Sequence, residues 1–366
     1  MKRQLWLLGW LLLCMAPALA QSMDCPDIVQ QALRAVETGC AAAARNQACF
    51  GNVRLEATAQ PGVTEFRFEQ TGDLVNVASV QSMRLYPLDE SAGTWGIVLM
   101  RLQANLPDTM PGQNVTFLLF GDVEISSNVP ADSTEQTPMQ AFYLTTGLGD
   151  TQCAEAPQSG LMVQTPQGVG EIAFNVNGVD VSMGSTLLFQ AQRGKQMRVR
   201  TLEGAAAVRA NGVVRPVLAG TQVDIPLDDD LLPEDEPEMP EAYNLDTLTG
   251  LPLELFDYEF EIMPPLDDDQ LEALWEAIDE GEPLCDDDPE TFFPSCDELP
   301  LDLGGLPCTL DPAAEPNSPL CILPDDTSET PDASSDDTPP SDTPPTDAPP
   351  DDSGGAGGDD GGGEGG

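Results

Sequence analysis

The chain has 366 residues and a formal net charge of −49, and this charge is very unevenly distributed. The first 215 residues contain all 14 lysines and arginines but only 19 of the 63 acidic residues, a charge of −5. The rest of the chain contains the other 44 acidic residues and carries −44. Nucleic acid and anionic membranes repel such a polyanion, which excludes both as partners of the acidic part.

The sequence contains no histidine. This excludes Ser-His-Asp and Cys-His catalysis and any metal site with histidine ligands. Catalysis by carboxylates alone and cation binding through oxygen ligands are compatible with the composition. In so acidic a chain, however, two neighbouring carboxylates are expected by chance and indicate no particular reaction. We therefore predict that the protein is not an enzyme, with a carboxylate-based hydrolase as an alternative.

Residues 1–20 have the pattern of a secretory signal peptide. Lys2 and Arg3 precede an apolar stretch at 5–15, and Ala-Leu-Ala at 18–20 forms a typical cleavage site. A lipoprotein signal that uses Cys14 is the weaker alternative, because the residue before it is bulky. No later segment has 18 uninterrupted apolar residues, so we predict no transmembrane segment after cleavage. The mature protein is predicted to be secreted or extracytoplasmic, in the periplasm or at the cell exterior.

Eight cysteines follow the signal peptide, in two groups of four. They are Cys25, Cys40, Cys49 and Cys153, followed by Cys285, Cys296, Cys308 and Cys321. An even number in an oxidising compartment predicts disulfide bonds, and their pairing stays open. The second group contains no Cys-x-x-Cys pair, which argues against a zinc site.

Residues 21–50 are predicted to form a helical cap that contains three of the cysteines. Pro26 suits the start of a helix, and Gly39 suits its end. Between them, the apolar residues Val29, Ala32, Leu33 and Val36 fall on one helical face. A second short helix is predicted at 41–45.

From residue 51 to 150 the apolar pattern changes to the period of a β-strand. Short alternating segments are separated by turn signals such as Pro-Gly at 61–62 and 111–112. Two longer apolar strands are predicted at 95–102 and 115–125. This pattern predicts an antiparallel sandwich or barrel-like module.

A second all-β module is predicted at 155–227. Its clearest signals are the Asn-Gly pairs at 177–178 and 211–212, each flanked by alternating valines. Asn-Gly between alternating apolar residues predicts a tight hairpin, because both residues tolerate positive φ.

Four short segments of this module resemble the FecR-type domain. They are LMVQTP at 161–166, GSTLL at 184–188, VRTLEG at 199–204 and AGTQVDI at 219–225. The preceding ANLPDTMPG at 104–112 and FLLFGDVEI at 117–125 resemble secreted bacterial proteins that carry the same domain. The resemblance implies an extracytoplasmic protein that senses or relays a signal. The signalling members also have a transmembrane helix and a cytoplasmic anti-sigma segment, which the sequence does not show. The resemblance therefore implies extracytoplasmic interaction rather than relay across a membrane.

Basic residues are concentrated in the same module. Six of them lie within 23 residues, namely Arg193, Lys195, Arg198, Arg200, Arg209 and Arg215. On a strand whose Met197 and Val199 face the core, Arg198 and Arg200 project together to the other side. An ordinary solvated strand face is the first interpretation of this patch, and docking of the acidic tail or of an anionic ligand to these six residues is the sharper hypothesis.

The acidic part divides into a cysteine-containing segment at 228–324 and a tail at 325–366. In the first, the acidic residues 267–269 precede helically spaced apolar residues, and Gly281 predicts the end of that helix. The tail is rich in Asp, Pro and Gly and is predicted to be disordered. The acidic runs fit no calcium-loop pattern, so we predict no cofactor and, at most, weak Ca²⁺ binding by the tail.

The sequence as a whole is predicted to be mainly β, with two successive β modules, a helical cap and an acidic tail. We predict a non-catalytic, FecR-like interaction or sensing protein whose partner is an extracytoplasmic protein or an envelope component. A structural protein of the envelope or matrix that gathers divalent cations is the alternative from a different class.

Overall fold

A computed structural model describes residues 25–103, 114–129, 139–147, 156–167, 171–282, 284, 285 and 293 of the chain. The fold class is confirmed, because these residues form a curled, mainly β structure with a short N-terminal helix. The signal peptide at 1–20 and the tail at 325–366 lie outside the described residues, as do Cys153, Cys296, Cys308 and Cys321.

Two α-helices, three short 3₁₀ helices and fifteen strands make up the described structure. The α-helices are α1 (Cys25–Gly39) and α2 (Asp268–Glu280), and the 3₁₀ helices are Val77–Ser79, Leu245–Leu248 and Leu253–Leu255. The first strands are β1 (Gln47–Asn52), β2 (Leu55–Ala59), β3 (Leu74–Asn76), β4 (Val80–Leu85), β5 (Ile97–Gln103), β6 (Asn114–Phe120), β7 (Val123–Ser127) and β8 (Ala141–Thr146). The others are β9 (Gly160–Gln164), β10 (Ile172–Val176), β11 (Val179–Gln192), β12 (Gln196–Ala210), β13 (Val213–Leu218), β14 (Thr221–Pro226) and β15 (Glu241–Ala242).

The described strands form one sheet in the order β2-β4-β7-β8-β10-β11-β9-β6-β5-β1-β3. β12 pairs with β11, β13 and β14, and β14 also pairs with β15. All described pairs are antiparallel except β8 with β10. Strands from before and after residue 150 are hydrogen-bonded neighbours, because β9 lies between β6 and β11.

Helix α1 forms as predicted, and one face of it is buried against the sheet through residues that include Ile28, Ala32 and Val36. The second helix, predicted at 41–45, is absent, and that prediction was wrong. This segment makes turns instead, with Asn46 at φ 59°, and β1 begins at Gln47. The Cys40–Cys49 disulfide and the pairing of β1 with β5 hold the segment in the sheet rather than in a helix.

The turn signals of the sequence match the structure at both Asn-Gly pairs. The residues of these pairs all have positive φ, and the pairs connect β10 to β11 and β12 to β13. The strand predicted at 115–125 is instead two strands, β6 and β7, separated by a turn at Gly121 with φ 83°. A side chain there would collide with Ser159, which explains the glycine.

The sheet has two buried faces, which we call the inner and the outer face. The inner face carries the larger apolar cluster, in which Phe117 packs against Phe142 and Phe174 with ring centroids 5.8 and 5.7 Å apart. On the outer face, apolar residues such as Leu118 and Leu188 belong to a second cluster with α1 and with residues of the segment 243–262.

Residues 228–266 lie along the sheet, and we call them the strap. Their backbone donates hydrogen bonds to the sheet from Glu234 to Pro226, from Glu238 to Asp224 and from Met263 to Leu202, at 3.0, 2.9 and 2.9 Å. β15, within the strap, pairs with β14. An acidic segment is therefore part of the folded structure.

The helix that follows the strap begins and ends as predicted. Asp267 and Gln270 form a reciprocal capping box at its start, and Gly281 ends it in the left-handed conformation. The Trp275 indole donates a hydrogen bond to the carbonyl of Pro240 at 2.7 Å, which ties α2 to the strap. No helix of the described part is long and apolar enough to cross a membrane.

Candidate functional site

Arg198 and Arg200 are neighbours on the outer face of β12, and we call them the arginine pair. Met197 and Val199 alternate with them and belong to the inner apolar cluster, as the strand period predicts. Across the sheet, Arg198 pairs in register with Asp224 of β14, and Arg200 with Gln222 of the same strand.

Arg200 is buried, although the sequence predicted that it would project outward with Arg198. The residue is only 2% exposed, and β15 of the strap pairs with β14 beside it. Two neutral amides hold the guanidinium: Nε donates to Gln222 at 2.8 Å and one terminal nitrogen donates to Gln190 at 2.6 Å. Burial lowers the pKa of Arg200 to about 10.

The strap reaches Arg200 through one of these amides. Gln222 Nε2 donates a hydrogen bond to Glu241 Oε1 at 2.6 Å, so a carboxylate of β15 lies at the end of the chain Arg200–Gln222–Glu241. Tyr243 is buried nearby, and its hydroxyl donates to the carbonyl of Met263. Burial raises the pKa of Tyr243 to about 12, so this phenol is neutral at physiological pH.

Arg198 has a partner within the sheet itself. Its Nε donates to Asp224 Oδ1 at 2.6 Å and a terminal nitrogen donates to Oδ2 at 2.5 Å, which is a two-pronged ion pair. This hydrogen bonding raises the pKa of Arg198 above its ordinary value. The neighbouring charges of Glu241 and Glu238 act in the same direction.

The other four predicted basic residues are not part of the arginine pair. Arg193 donates a hydrogen bond to the carbonyl of Asp229, and Arg215 lies 3.9 Å from a carboxylate oxygen of Glu236. Both of these acidic residues belong to the strap. Lys195 lies in the turn between β11 and β12, and Arg209 lies near the end of β12.

Four of the eight predicted disulfide cysteines lie among the described residues, and all four are disulfide-bonded. Cys40 and Cys49 form a disulfide that links the end of α1 to β1, which confirms disulfide bonding in the first group. Cys25 and Cys285 are also disulfide-bonded. Within the described ranges, no group of three or more Cys, Asp or Glu side chains is arranged to hold a metal ion.

A row of polar residues crosses five strands of the outer face, and the sequence did not predict it. The register places one residue of each strand in line: Arg101, Thr116, Gln164, Thr186 and Glu203. We call this line the polar row. Four strand spacings of about 4.8 Å give it a length of roughly 19 Å. The strand period places each member on the outer face, but only the register shows that the five polar residues lie side by side.

The strap contacts both ends of the polar row through Asp257 and Tyr258. Asp257 accepts hydrogen bonds from Arg101 at 2.8 Å and from the Thr116 hydroxyl at 3.1 Å. At the other end, the Tyr258 hydroxyl donates to Glu203 at 3.3 Å. Burial is the main reason that the pKa of Tyr258 is raised to about 12.

Next to the Arg101 end of the row lies a cleft of about 290 Å³. Its lining includes Arg101, Asn114, Gln164, Thr165, Gln167 and Tyr258, with Asp257 beside them. Gln164 is only 2% exposed, yet its amide nitrogen makes long contacts, 3.4 Å to the Tyr258 carbonyl and 3.5 Å to Thr186. The cleft therefore combines an ion pair with several neutral donors and acceptors.

Comparisons with known proteins do not assign this chain to a family. No family model matches it, and no curated protein matches it. It is similar to two crystal structures, at 1.65 and 2.50 Å resolution, of a proposed anti-sigma factor from Parabacteroides distasonis. Identity is 14% and 12%, and TM-scores are 0.25 and 0.27, over 39% and 44% of this chain.

The similarity spans 56% and 60% of those proteins, which is less than two thirds of their length. TM-scores of this size do not establish a shared fold. The FecR-type resemblance of residues 160–227 therefore stays a prediction from the sequence.

Proposed function

We propose that this chain is a non-catalytic extracytoplasmic interaction module in which the strap covers a surface that also binds a partner protein. The observation that carries the proposal is the arrangement at β14. Residues 234–242 of the strap run beside this strand and bring the carboxylate of Glu241 to the amide that holds the buried Arg200.

The short pairing between the strap and β14 is one that a segment of a partner protein could replace. β15 contains only two residues, and its pairing with β14 covers Thr221 and Gln222. Backbone hydrogen bonds of this kind are available to any extended segment that adds to a sheet edge. An acidic segment of a partner offers the same backbone pairing and the same charge complementarity to the arginine pair.

The location is inferred from the cysteines and from the signal-like N-terminus. The Cys40–Cys49 disulfide, together with bonded Cys25 and Cys285, fits an oxidising compartment. The resemblance to the FecR-type domain points to the same side of the membrane. The proposed partner is accordingly an extracytoplasmic protein or an envelope component.

Capture from the native cell envelope tests this proposal. Three tagged full-length proteins are compared: the wild type, Arg198→Gln, and a strap variant with Glu238→Gln and Glu241→Gln. We expect a partner whose recovery rises severalfold with the strap variant and falls with Arg198→Gln, because the first weakens the internal competitor and the second weakens the shared surface. Arg67→Gln, an exposed charge outside this surface, is the matched control.

The captured protein is then purified and mixed with the same variants. A direct complex with the same order of affinities supports the proposal. The proposal is wrong if recovery and affinity do not respond to either variant. Turnover in a screen of glycoside and peptide substrates would contradict its non-catalytic part.

A further inference from the structure

We infer that the cleft beside the polar row is a binding site for a small, neutral, polyhydroxylated ligand, a saccharide of one or two rings. The site lies on the outer face at β5, β6 and β9, whereas the proposed partner surface lies at β14. The sugar-binding inference and the proposed partner surface therefore involve different residues, and each can be tested without the other.

The charge of the cleft favours a neutral ligand. Arg101 and Asp257 are the charged residues among those that line it, and they pair with each other at 2.8 Å. An anion would have to approach Asp257 in a chain whose net charge is −49, and a cation would meet Arg101. A neutral ligand meets neither penalty and can hydrogen-bond to both members of the ion pair.

The hydrogen-bonding groups of the cleft suit hydroxyls. Asn114, Gln164 and Gln167 each present a side-chain amide, which offers donors and an acceptor on one rigid plane. A sugar hydroxyl also both donates and accepts, so neighbouring hydroxyls match such amides. Planar amides, a carboxylate and a guanidinium together can therefore bind several hydroxyls of one ring.

Gln164 is the residue on which the inference depends most. Its position between β6 and β11 fixes its backbone, and its side chain is 2% exposed. Both contacts of its amide nitrogen are near the upper limit for a hydrogen bond, at 3.4 and 3.5 Å. A ligand hydroxyl at normal hydrogen-bond distance is a better partner for this buried donor.

The size and remaining lining of the cleft agree with this class of ligand. A volume of about 290 Å³ is just below the usual range for drug-sized ligands, which suits a ligand of one or two sugar rings. Pro166 and Tyr258 also line it and contribute apolar ring surface against which the C–H face of a sugar packs.

Nuclear magnetic resonance of the ¹⁵N-labelled full chain tests the inference. The probes are glucose, galactose, N-acetylglucosamine, maltose and cellobiose, each added separately, with succinate as an anionic probe. We expect at least one sugar to shift the amide signals of Thr165, Gln167 and Tyr258 saturably, with a dissociation constant in the micromolar to millimolar range. Succinate is expected to leave them in place.

Two variants locate the binding. Gln164→Met keeps the length of the side chain but removes the amide, and we expect affinity to fall about tenfold, the effect of one lost hydrogen bond of about 1.4 kcal/mol. Gln167→Ala, at an exposed position, is expected to weaken binding severalfold without affecting the fold. Gln31→Ala, an exposed glutamine on α1, is the matched control and should bind like the wild type.

Three results would overturn the inference. The first is that no sugar of the panel produces saturable shifts at these residues. The second is that succinate produces the same shifts with higher affinity. The third is that Gln167→Ala, correctly folded by its amide spectrum, binds the sugar as well as the wild type and the Gln31→Ala control do.

Discussion

The inner and outer faces of the sheet are built from the same strands but carry different side chains. On the inner face the side chains of successive strands form one apolar cluster, with the aromatic rings of Phe117, Phe142 and Phe174 in contact. On the outer face, apolar patches alternate with the arginine pair and the polar row, and the strap contacts both. Because side chains alternate along a strand, one sequence places a continuous apolar cluster on one face and a mixture of apolar and polar residues on the other.

The sharpest test of this comparison uses two neighbours in β6 that point to opposite faces. Phe117→Ala on the inner face should lower the free energy of unfolding by about 3–5 kcal/mol, because it leaves a cavity among aromatic rings. Thr116→Val on the outer face should cost about 1 kcal/mol, the hydrogen bond to Asp257. Chemical denaturation measures both. Equal losses would show that the two faces do not differ in the way described.

Removal of the Cys40–Cys49 disulfide should have the next largest effect. The bond closes a loop with a sequence separation of 9 residues. The double change Cys40→Ala and Cys49→Ala should therefore lower the free energy of unfolding by about 2–3 kcal/mol, mainly by freeing the unfolded chain. The aromatic bands of the near-ultraviolet circular dichroism spectrum should stay close to those of the wild type, because the sheet remains folded. A loss below about 0.5 kcal/mol would mean that the sheet alone holds β1 in place.

The third prediction concerns the half-buried phenol of Tyr258 and the dependence of stability on alkaline pH. The pKa of Tyr258 is raised from 10.0 to about 12, so between these values the unfolded chain ionises while the folded chain stays neutral. This group therefore favours unfolding as pH rises from 10 to 12. Tyr258→Phe should lose stability less steeply than the wild type over this window, as measured by denaturation at several pH values.

The same variant has a spectroscopic consequence. The chain has four tyrosines, and the pKa values of Tyr243 and Tyr258 are both raised to about 12. Absorbance titration of the folded wild type should show a late ionisation step that is smaller in Tyr258→Phe. If the late step is unchanged, the Tyr258 phenol is not shielded from solvent under native conditions.

The smallest expected effect concerns the ion pair between the sheet and the strap. The Arg101 and Asp257 side chains are 23% and 40% exposed, so solvent screens much of their attraction. Asp257→Asn should therefore cost no more than about 1 kcal/mol, and less at high salt. The control is Asp246→Asn, which changes an exposed acid of the strap in the first turn of the 3₁₀ helix Leu245–Leu248. It should change the free energy of unfolding less than Asp257→Asn does. If Asp257→Asn lowered the free energy of unfolding as much as Phe117→Ala, the outer face would contribute as much to stability as the inner face, and the comparison would be wrong.

Local sequence signals predicted the elements whose structure is decided locally. α1 follows from its apolar face, the two hairpins from Asn-Gly, and α2 from Asp267 at its start and Gly281 at its end. The second helix at 41–45 failed because a disulfide and a distant strand outweigh helix propensity in so short a segment.

The candidate site could not be predicted in the same way. The polar row depends on the insertion of β9 between β6 and β11, and strand period does not fix which strands become neighbours. The burial of Arg200 depends on residues such as Tyr243, more than 40 positions later in the chain. The charge pattern indicated contacts between the arginines and the acidic segment. It could not show that Arg200 would be buried and hydrogen-bonded to two neutral amides.

Native-state hydrogen exchange of the strap tests most directly the claim that this acidic segment is part of the fold. In the full-length protein, the amides of Glu238 and Met263, which donate to Asp224 and Leu202, should exchange much more slowly than in an unfolded chain. Slow exchange at both positions is the predicted result. Exchange at the rate of free peptide, while β12 stays protected, would contradict the account.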